Sequence, residues 1–469
     1  MDGSSTTLPG LPTHWSRRLA AIGEWMRVHQ RALQATQWIV VLVYAFMIVV
    51  PAFLPLPSDD AHWFNNLTVL AQWMFWGLWW PCVIASMFVL GRTWCGVFCP
   101  EGTLTEAASR VGLGRGVPRW LKWAGWPFVA FALTTVFGQL VSVYQYAAAT
   151  LLVLGGSTAA AVVVGLVYGR GKRVWCRHLC PVNGVFAVLS RVSPLHYRVD
   201  AEGWSRNAAH IPVHPVNCAP MVRIKRMTGP SECHMCARCS GLRGSVVLAA
   251  RAPNEEVAHV KLETAHGWDA ILIVFGMIGL AIGAFEWSAT AAFPALRTFL
   301  ADRIIEHGPE WLLRDDAPWW LLTHYPDAHD VFTWLDGALI VGWIGATAVV
   351  VGLWVFGWLA IASRTLPGKT IPGMIALSYA LVPLAGAGLF VGLSSLTATL
   401  ARGEGFHLSW LAALRAVLLC GAAAWSTWLA YRQIQTLMAG TPRVAALASF
   451  SVAVLGVLVA WVPFVFRVI

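Results

Sequence analysis

Charge is what this chain has least of. Only 12% of its 469 residues are Asp, Glu, Lys or Arg, 57% are hydrophobic, and the mean hydropathy is +0.62. A soluble domain carries about 25% charged residues, so a soluble fold is excluded and an all-α polytopic membrane protein is expected. Acidic residues are almost missing from the apolar runs, which argues against a transport path lined by carboxylates. Histidine is missing there too. All 14 His lie in loops or at run ends, so a transmembrane b-haem is not expected. No basic stretch interleaved with aromatics occurs outside the apolar runs, so the net charge of +10 does not read as nucleic-acid binding. The polar, basic first 34 residues are followed by no small-residue cleavage site, and the first apolar run is expected to remain as a signal anchor.

What the chain has in abundance is apolar sequence in runs long enough to cross a hydrocarbon core of about 30 Å. They cover 37–55, 68–90, 123–144, 148–169, 268–286, 335–363, 373–398, 408–431 and 444–466. With alternate loops on opposite sides and the N-terminus in the cytoplasm, most of the 33 Lys and Arg fall on the inner side, as the positive-inside rule requires. The expected organisation is a cytoplasmic N-terminal segment 1–36, a four-helix membrane region 37–190, a cytoplasmic insert 191–267, and a five-helix membrane region 268–469 with an outer loop 287–334. Trp63, Trp79, Trp80, Trp287, Trp319 and Trp320 are assigned to aromatic belts at run ends. The outer loop is too short for an enzyme domain and long enough for a docking surface.

One stretch is present twice. Laying GRTWCGVFCPEGTLTE over KRVWCRHLCPVNGVF superimposes Arg92 on Arg173, Trp94 on Trp175, Cys95 on Cys176, Cys99 on Cys180 and Pro100 on Pro181, and then Ser109, Arg110 and Val111 on Ser190, Arg191 and Val192. Each CxxxCP element follows an apolar run, so both belong at the same membrane edge. Proline favours the first position of a helix, which predicts Cys99 and Cys180 at helix N-termini with thiolates stabilised by the dipole and by arginine. Three readings compete for Cys95, Cys99, Cys176 and Cys180: a shared cluster or metal, a redox-active dithiol pair, and buried structural thiols. Packing alone seldom requires the same two thiols twice beside the same Trp and Arg. Cys82 and Cys420 stand alone inside apolar runs and read as buried core.

In the insert, SECHMCARCSG sets Cys233, Cys236 and Cys239 at CxxCxxC spacing, with Cys218 fifteen residues upstream. Thiolates at that spacing grip three corners of a cubane and leave the fourth to a remote Cys. Cys218 is the candidate, because Arg243 stands where the nearer one would be. Structural zinc prefers two separated CxxC pairs, and a disulfide framework does not suit a reducing compartment. His210, His214 and His234 are alternative ligands. Arg223, Lys225, Arg226, Arg238 and Arg243 would favour a reduced cluster or form a solvated face.

The double GRxWCxxxCP-like loop followed by a cysteine-rich insert resembles the membrane polyferredoxin family that includes NapH, NosR, CcoG and FtrD. The resemblance covers about residues 36 to 266. It implies a [4Fe-4S] cluster on Cys218, Cys233, Cys236 and Cys239, a redox role or second centre at the four CxxxCP cysteines, and electron transfer near the cytoplasmic face of a bacterial inner membrane. The chain departs from most members in having ligands for one clear ferredoxin-like loop and in its tail of further spans. That layout looks most like FtrD, which implies a periplasmic cupredoxin-like or iron-binding redox protein, an iron permease and a cytoplasmic electron donor or acceptor as partners. A redox carrier subunit is expected rather than a free-standing catalyst. The alternatives are a transporter subunit with structural or sensing metal-cysteine sites, and a thiol-disulfide relay.

In the second half, Gly, Ala and Ser in GLAIGA, LAGAGLFVGLSS and CGAAAWS allow close helix packing. Arg415 is expected about 12 Å inside its span if that helix starts near His407, with Glu286 and Asp336 as candidate partners. His307, His324 and His329 with nearby acids could hold a transition metal, against the plainer reading of a solvated loop.

Overall fold

In the computed structural model, residues 13–58, 60–206, 215–227, 229–260, 262, 265–366, 370–437 and 443–466 are described. The chain is an all-α polytopic membrane protein. It opens with α1 (Thr13–Val28). Eight helices are long and apolar enough to cross a membrane, namely α2 (Gln30–Phe53), α3 (Leu67–Leu90), α6 (Ala147–Val167), α9 (Gly267–Glu286), α11 (Trp334–Arg364), α12 (Thr370–Gly403), α13 (Leu411–Leu437) and α14 (Arg443–Val465). The other expected span is α5 (Trp126–Leu140), apolar but only 15 residues, or about 22 Å at 1.5 Å per residue. Short helices α4 (Pro100–Arg110), α7 (Val174–His178) and α8 (Asn183–Leu189) follow α3 and α6. Strands β1 (Leu195–Val199) and β2 (Val246–Ala250) pair antiparallel, Tyr197 opposite Leu248.

Two compact units make up the chain. The first comprises residues 1–44, 83–126 and 157–257, and it contains all eight candidate ligand cysteines. Its polar part is built on the β1–β2 ribbon, with Tyr197, Val222, Met227, Leu242, Val246 and Leu248 in the core. A two-stranded ribbon is marginal alone, and α1 supplies the missing layer. Leu19 and Met26 pack onto that core, and a Cβ on Gly23 would lie 2.9 Å from the Leu248 Cβ. Leu19, Gly23 and Met26 share a helix face at 3.6-residue spacing.

The second unit comprises 45–82, 127–156 and 258–469. Its close packing follows its small residues: a Cβ on Gly279 would meet the Ala348 backbone at 2.8 Å, and one on Gly283 would meet the Ile344 Cα at 2.9 Å. Two helix starts are capped by side chains. Asn66 Oδ1 accepts from the Thr68 and Val69 N–H groups at the start of α3, and Thr333 with Asp336 forms a capping box on α11. The 287–334 stretch folds into α10 (Ala292–His307) and a hairpin of β3 (His324–Tyr325) and β4 (Asp330–Val331).

Several expectations change here. Trp79 and Trp80 lie midway along α3, not at its end, with Trp80 stacked on Trp76 one turn back. Cys82 and Cys420 are exposed on the outer faces of their helices, not buried, because neither position falls on the packed side. Arg415 is buried at 3% exposure but sits only four residues into α13, about 6 Å, with its guanidinium over the Phe464 ring at 5.1 Å. Asp336 is engaged by Arg297 and by its own capping box.

Candidate metal centres

The insert's loop is shaped by backbone conformations that L-residues seldom adopt. Met221, Met235 and Ala237 all have positive φ, at 58°, 56° and 63°, each costing on the order of 1–3 kcal/mol unless its surroundings repay it. The turns aim amides at sulfur: the Val222 N–H donates to Cys218 Sγ and the Met235 N–H to Cys233 Sγ, each at 3.3 Å. Cys218, Cys233, Cys236 and Cys239 line one small hollow, with Tyr197, Met227 and Ala237 around it.

Among the described residues no three His, Cys, Asp or Glu converge on one ion; the CxxCxxC spacing with one remote Cys is the pattern of a cubane-binding loop. Burial pushes the Cys233 thiol up to about 12 and raises those of Cys218 and Cys239, the neighbouring cysteines adding to the effect. Four thiolates gathered in such a place need a compensating cationic core, which iron provides. His234 does not fit as a ligand. Its Nε2 lies 3.1 Å from Arg92 Nη2, and since a guanidinium only donates, Nε2 accepts and Nδ1 keeps its proton. His210 and His214 lie outside the described residues.

The CxxxCP elements begin alike. Gly91 (φ 59°), directly before Arg92, turns the chain in the left-handed region just past the end of α3, as glycine does beyond helix ends, and Gly171 (φ 60°) does so two residues before Arg173. Cys95 lies in a π-turn over Trp94–Phe98, a distortion often met at functional sites. Cys99 is the N-cap of α4, its sulfur accepting the Gly102 N–H at 3.4 Å, with Pro100 at the first helical position as expected. Cys180 departs from expectation: α8 begins only at Asn183, and Cys180 sits in the turn before it. The expected lowering of the thiol pKa is also reversed. Burial pushes Cys176 up to about 12 and raises Cys99 and Cys180, outweighing the helix end and the arginines.

These four cysteines lie within electrostatic reach of one another. Cys99 is influenced by Cys176 and Cys95, Cys176 by Cys95, and Cys180 by Cys176 and Cys99. Cys176 and Cys180 pack with Trp175 and Ala161. Beside them Glu101 accepts from Ser157 Oγ at 2.6 Å and Trp175 Nε1 at 2.9 Å, and burial raises its pKa.

A shared wall joins the two cysteine sets. A Cβ on Gly96, between Cys95 and Cys99, would fall 1.9 Å from the His234 carbonyl oxygen and 2.9 Å from the Cys236 nitrogen, so only glycine lets the loop and the insert touch backbone to backbone. Gln37 donates to the Gly96 carbonyl at 2.7 Å and Gln30 to the Cys236 carbonyl at 3.1 Å. The repeated arginines cross between elements. Arg92 binds Asn183 Oδ1 (2.5 Å) and the Ser231 carbonyl (2.6 Å); Arg173, 2% exposed, binds the Cys95 carbonyl (2.6 Å) and Glu106 (2.8 Å). Glu106 also pairs with Arg238 at 2.8 Å and Arg110 at 3.3 Å, and against the cost of burial Arg173 and Arg238 hold its carboxyl at about 2. Glu106, Gln30, Gln37 and Gly96 have no sequence pattern of their own; the Glu106 position lies six residues past the first CxxxCP, nearly two turns into α4, which is the only hint.

Among the described residues the His307, His324 and His329 group forms no ion-binding convergence.

The comparisons with known proteins bear on the first unit. Residues 72–123 and 151–199 match the family described as 4Fe-4S binding domain, and each matched stretch contains one CxxxCP loop. The insert cysteines lie beyond both. The chain is 26% identical over 237 residues to YccM of Escherichia coli (strain K12), whose name marks it as an inferred electron transport protein; the alignment takes in 44% of this chain and 65% of that one. The chain thus spans just under two thirds of that relative's length. No solved structure matches. Sequence and geometry together ally the chain with iron–sulfur electron-transfer proteins through its paired CxxxCP loops.

Proposed function

We propose that this chain is a membrane-integral iron–sulfur electron carrier with two adjoining centres, one on Cys218, Cys233, Cys236 and Cys239 and one on Cys95, Cys99, Cys176 and Cys180. The observation that carries the reading is the Gly96 contact, which leaves one backbone thickness between the sets. A [4Fe-4S] cluster, when bound, takes up and releases single electrons. The protein's own contribution is to exclude water from the thiols, to aim N–H groups at sulfur, and to place Arg92 and Arg173 where added negative charge is welcome. The narrower role is passage of electrons between a cytoplasmic donor or acceptor and a periplasmic cupredoxin-like or iron-binding protein beside an iron permease, in a bacterial inner membrane. The likeness to FtrD supports it.

Anaerobic purification with iron and sulfide analysis and EPR tests the centres. Iron near eight per chain is expected for two cubanes. Cys236→Ser should abolish the signal of the insert centre and Cys99→Ser that of the other, each leaving about half the iron. Stoichiometric zinc without iron, or quantitative alkylation of all the thiols in native metal-free protein, would replace the electron-carrier reading by a structural site or a thiol relay. Loss of iron-limited growth in a Cys99→Ser strain, restored by the wild-type gene, checks the narrower role.

A further inference from the structure

The hollow ringed by the insert cysteines has one thin wall. Val216, Cys218, Val222 and Ile224 line the hollow and also line a shallow surface groove of about 570 Å³. Five cationic side chains edge that groove, Lys172, Arg223, Lys225, Arg226 and Arg243, and among the described residues no carboxylate lines it. Arg223, Lys225 and Arg226 are exposed. Lys172 Nζ donates to the Cys218 carbonyl at 3.3 Å, and Arg243 stacks over Trp204 at 5.3 Å. A basic, concave surface therefore stands one cysteine away from the place where a cluster would sit.

We propose that this groove is the docking surface for a small acidic one-electron carrier protein, which exchanges electrons with the insert centre through Cys218. The inference rests on the iron–sulfur reading above and adds where the partner binds and what kind it is. Clustered charge of one sign steers an oppositely charged protein and raises its association rate by roughly 10- to 1,000-fold at low salt. The apolar floor around Trp204 and Ile224 gives the desolvated centre that such an interface needs. A hydride carrier fits the chemistry poorly, because a cubane accepts electrons singly. A flat anionic membrane would meet the rim and leave the floor unfilled. In each encounter one electron leaves the reduced carrier, which becomes oxidised by one unit, and enters the chain; no bond forms or breaks.

The test uses full-length protein purified without oxygen into neutral-lipid nanodiscs, mixed in a stopped-flow instrument with reduced plant-type ferredoxin or with methyl viologen radical cation. For wild type the ferredoxin rate should fall at least tenfold as ionic strength rises from about 50 to about 500 mM. The variant R223E/K225E/R226E should lose at least tenfold in that rate at low salt, flatten the salt dependence, and react with the viologen at least as fast as wild type. The variant R223A/K225A/R226A should fall about threefold and serves if charge reversal impairs loading. An iron-replete variant with an unchanged ferredoxin rate overturns the proposal, as does a loss confined to sedimentation with anionic vesicles, which would make the groove a lipid contact. Iron-loaded wild type indifferent to salt overturns the docking alone; wild type without iron overturns the centre assignment as well.

Discussion

Glu106 holds Arg173 on one side and Arg238 on the other, and Arg173 is close enough to feel both Cys176 and Cys236. Replacing Glu106 with Gln leaves the buried Arg173 and the half-buried Arg238 short of a counter-charge, and breaking a buried pair costs about 3–5 kcal/mol. We expect E106Q to lower unfolding stability by that order and to raise the reduction potential of whichever centres remain. The pH dependence has a definite sign. The carboxyl titrates near 2 in the folded chain and near 4.5 when exposed, so its stabilisation is complete above about 4.5 and disappears as pH falls towards 2. The gap between wild type and E106Q should stay constant from pH 6 to 8 and close under acid, in denaturant titrations of detergent-solubilised protein; a gap that grew with acid would contradict this. Gly96→Ala is the second residue-scale case. Its methyl would overlap the His234 carbonyl, and overpacking of about 1–3 kcal/mol or more should part the loop from the insert, seen as lost iron with the bundle still helical by circular dichroism. The cysteines were legible in the sequence because ligand spacing is a local property. Glu106 and Gly96 were not, since what they touch lies far along the chain.

At the scale of elements, the apolar runs announced the spans because lipid imposes both composition and length. The structure confirms eight at full length and shortens one, α5, a boundary that hydropathy blurs where Trp123 before the helix and Val141, Val143 and Tyr144 after it extend the apolar run. Proline after the second cysteine led to the right helix start in one repeat and the wrong one in the other. Cys99 caps α4 directly, while Val182 stands in the second repeat where Glu101 does in the first, and α8 starts two residues beyond Pro181. The largest omission was α1. Sixteen residues that read only as a polar leader form the cover of the β1–β2 ribbon. Burying an aliphatic side chain contributes about 1.5–3 kcal/mol, so Leu19→Asp with Met26→Asp should open that cover. The expected result is faster bleaching of the brown chromophore in air, followed by absorbance, with Cys99-centre EPR less affected than that of the insert.

Across the whole molecule, the ten cysteines sort by surroundings. Eight are drawn into the two sets, and Cys82 and Cys420 face outwards from their spans. In iron-loaded protein a lipid-soluble maleimide should therefore label two thiols and a water-soluble one almost none, with the full ten appearing only after unfolding and chelation, as counted by mass spectrometry. Labelling of Cys95 or Cys233 in native, loaded protein would show that the sets are not closed. The sequence could rank residues for this purpose only by type, and so both lone cysteines were assigned to the interior.

The order in which the chain is made gives α1 a further significance. Ribosomes finish it while β2, the strand it covers, is still over 200 residues from emerging, a delay of about 10 to 40 s at ordinary translation speeds. Throughout that interval the lid exists without its box, and the four insert sulfurs cannot yet be enclosed. Metal delivery to this protein must then be either a late event on a nearly complete polypeptide or one guarded by a helper that shields the apolar face of α1 until its strand arrives.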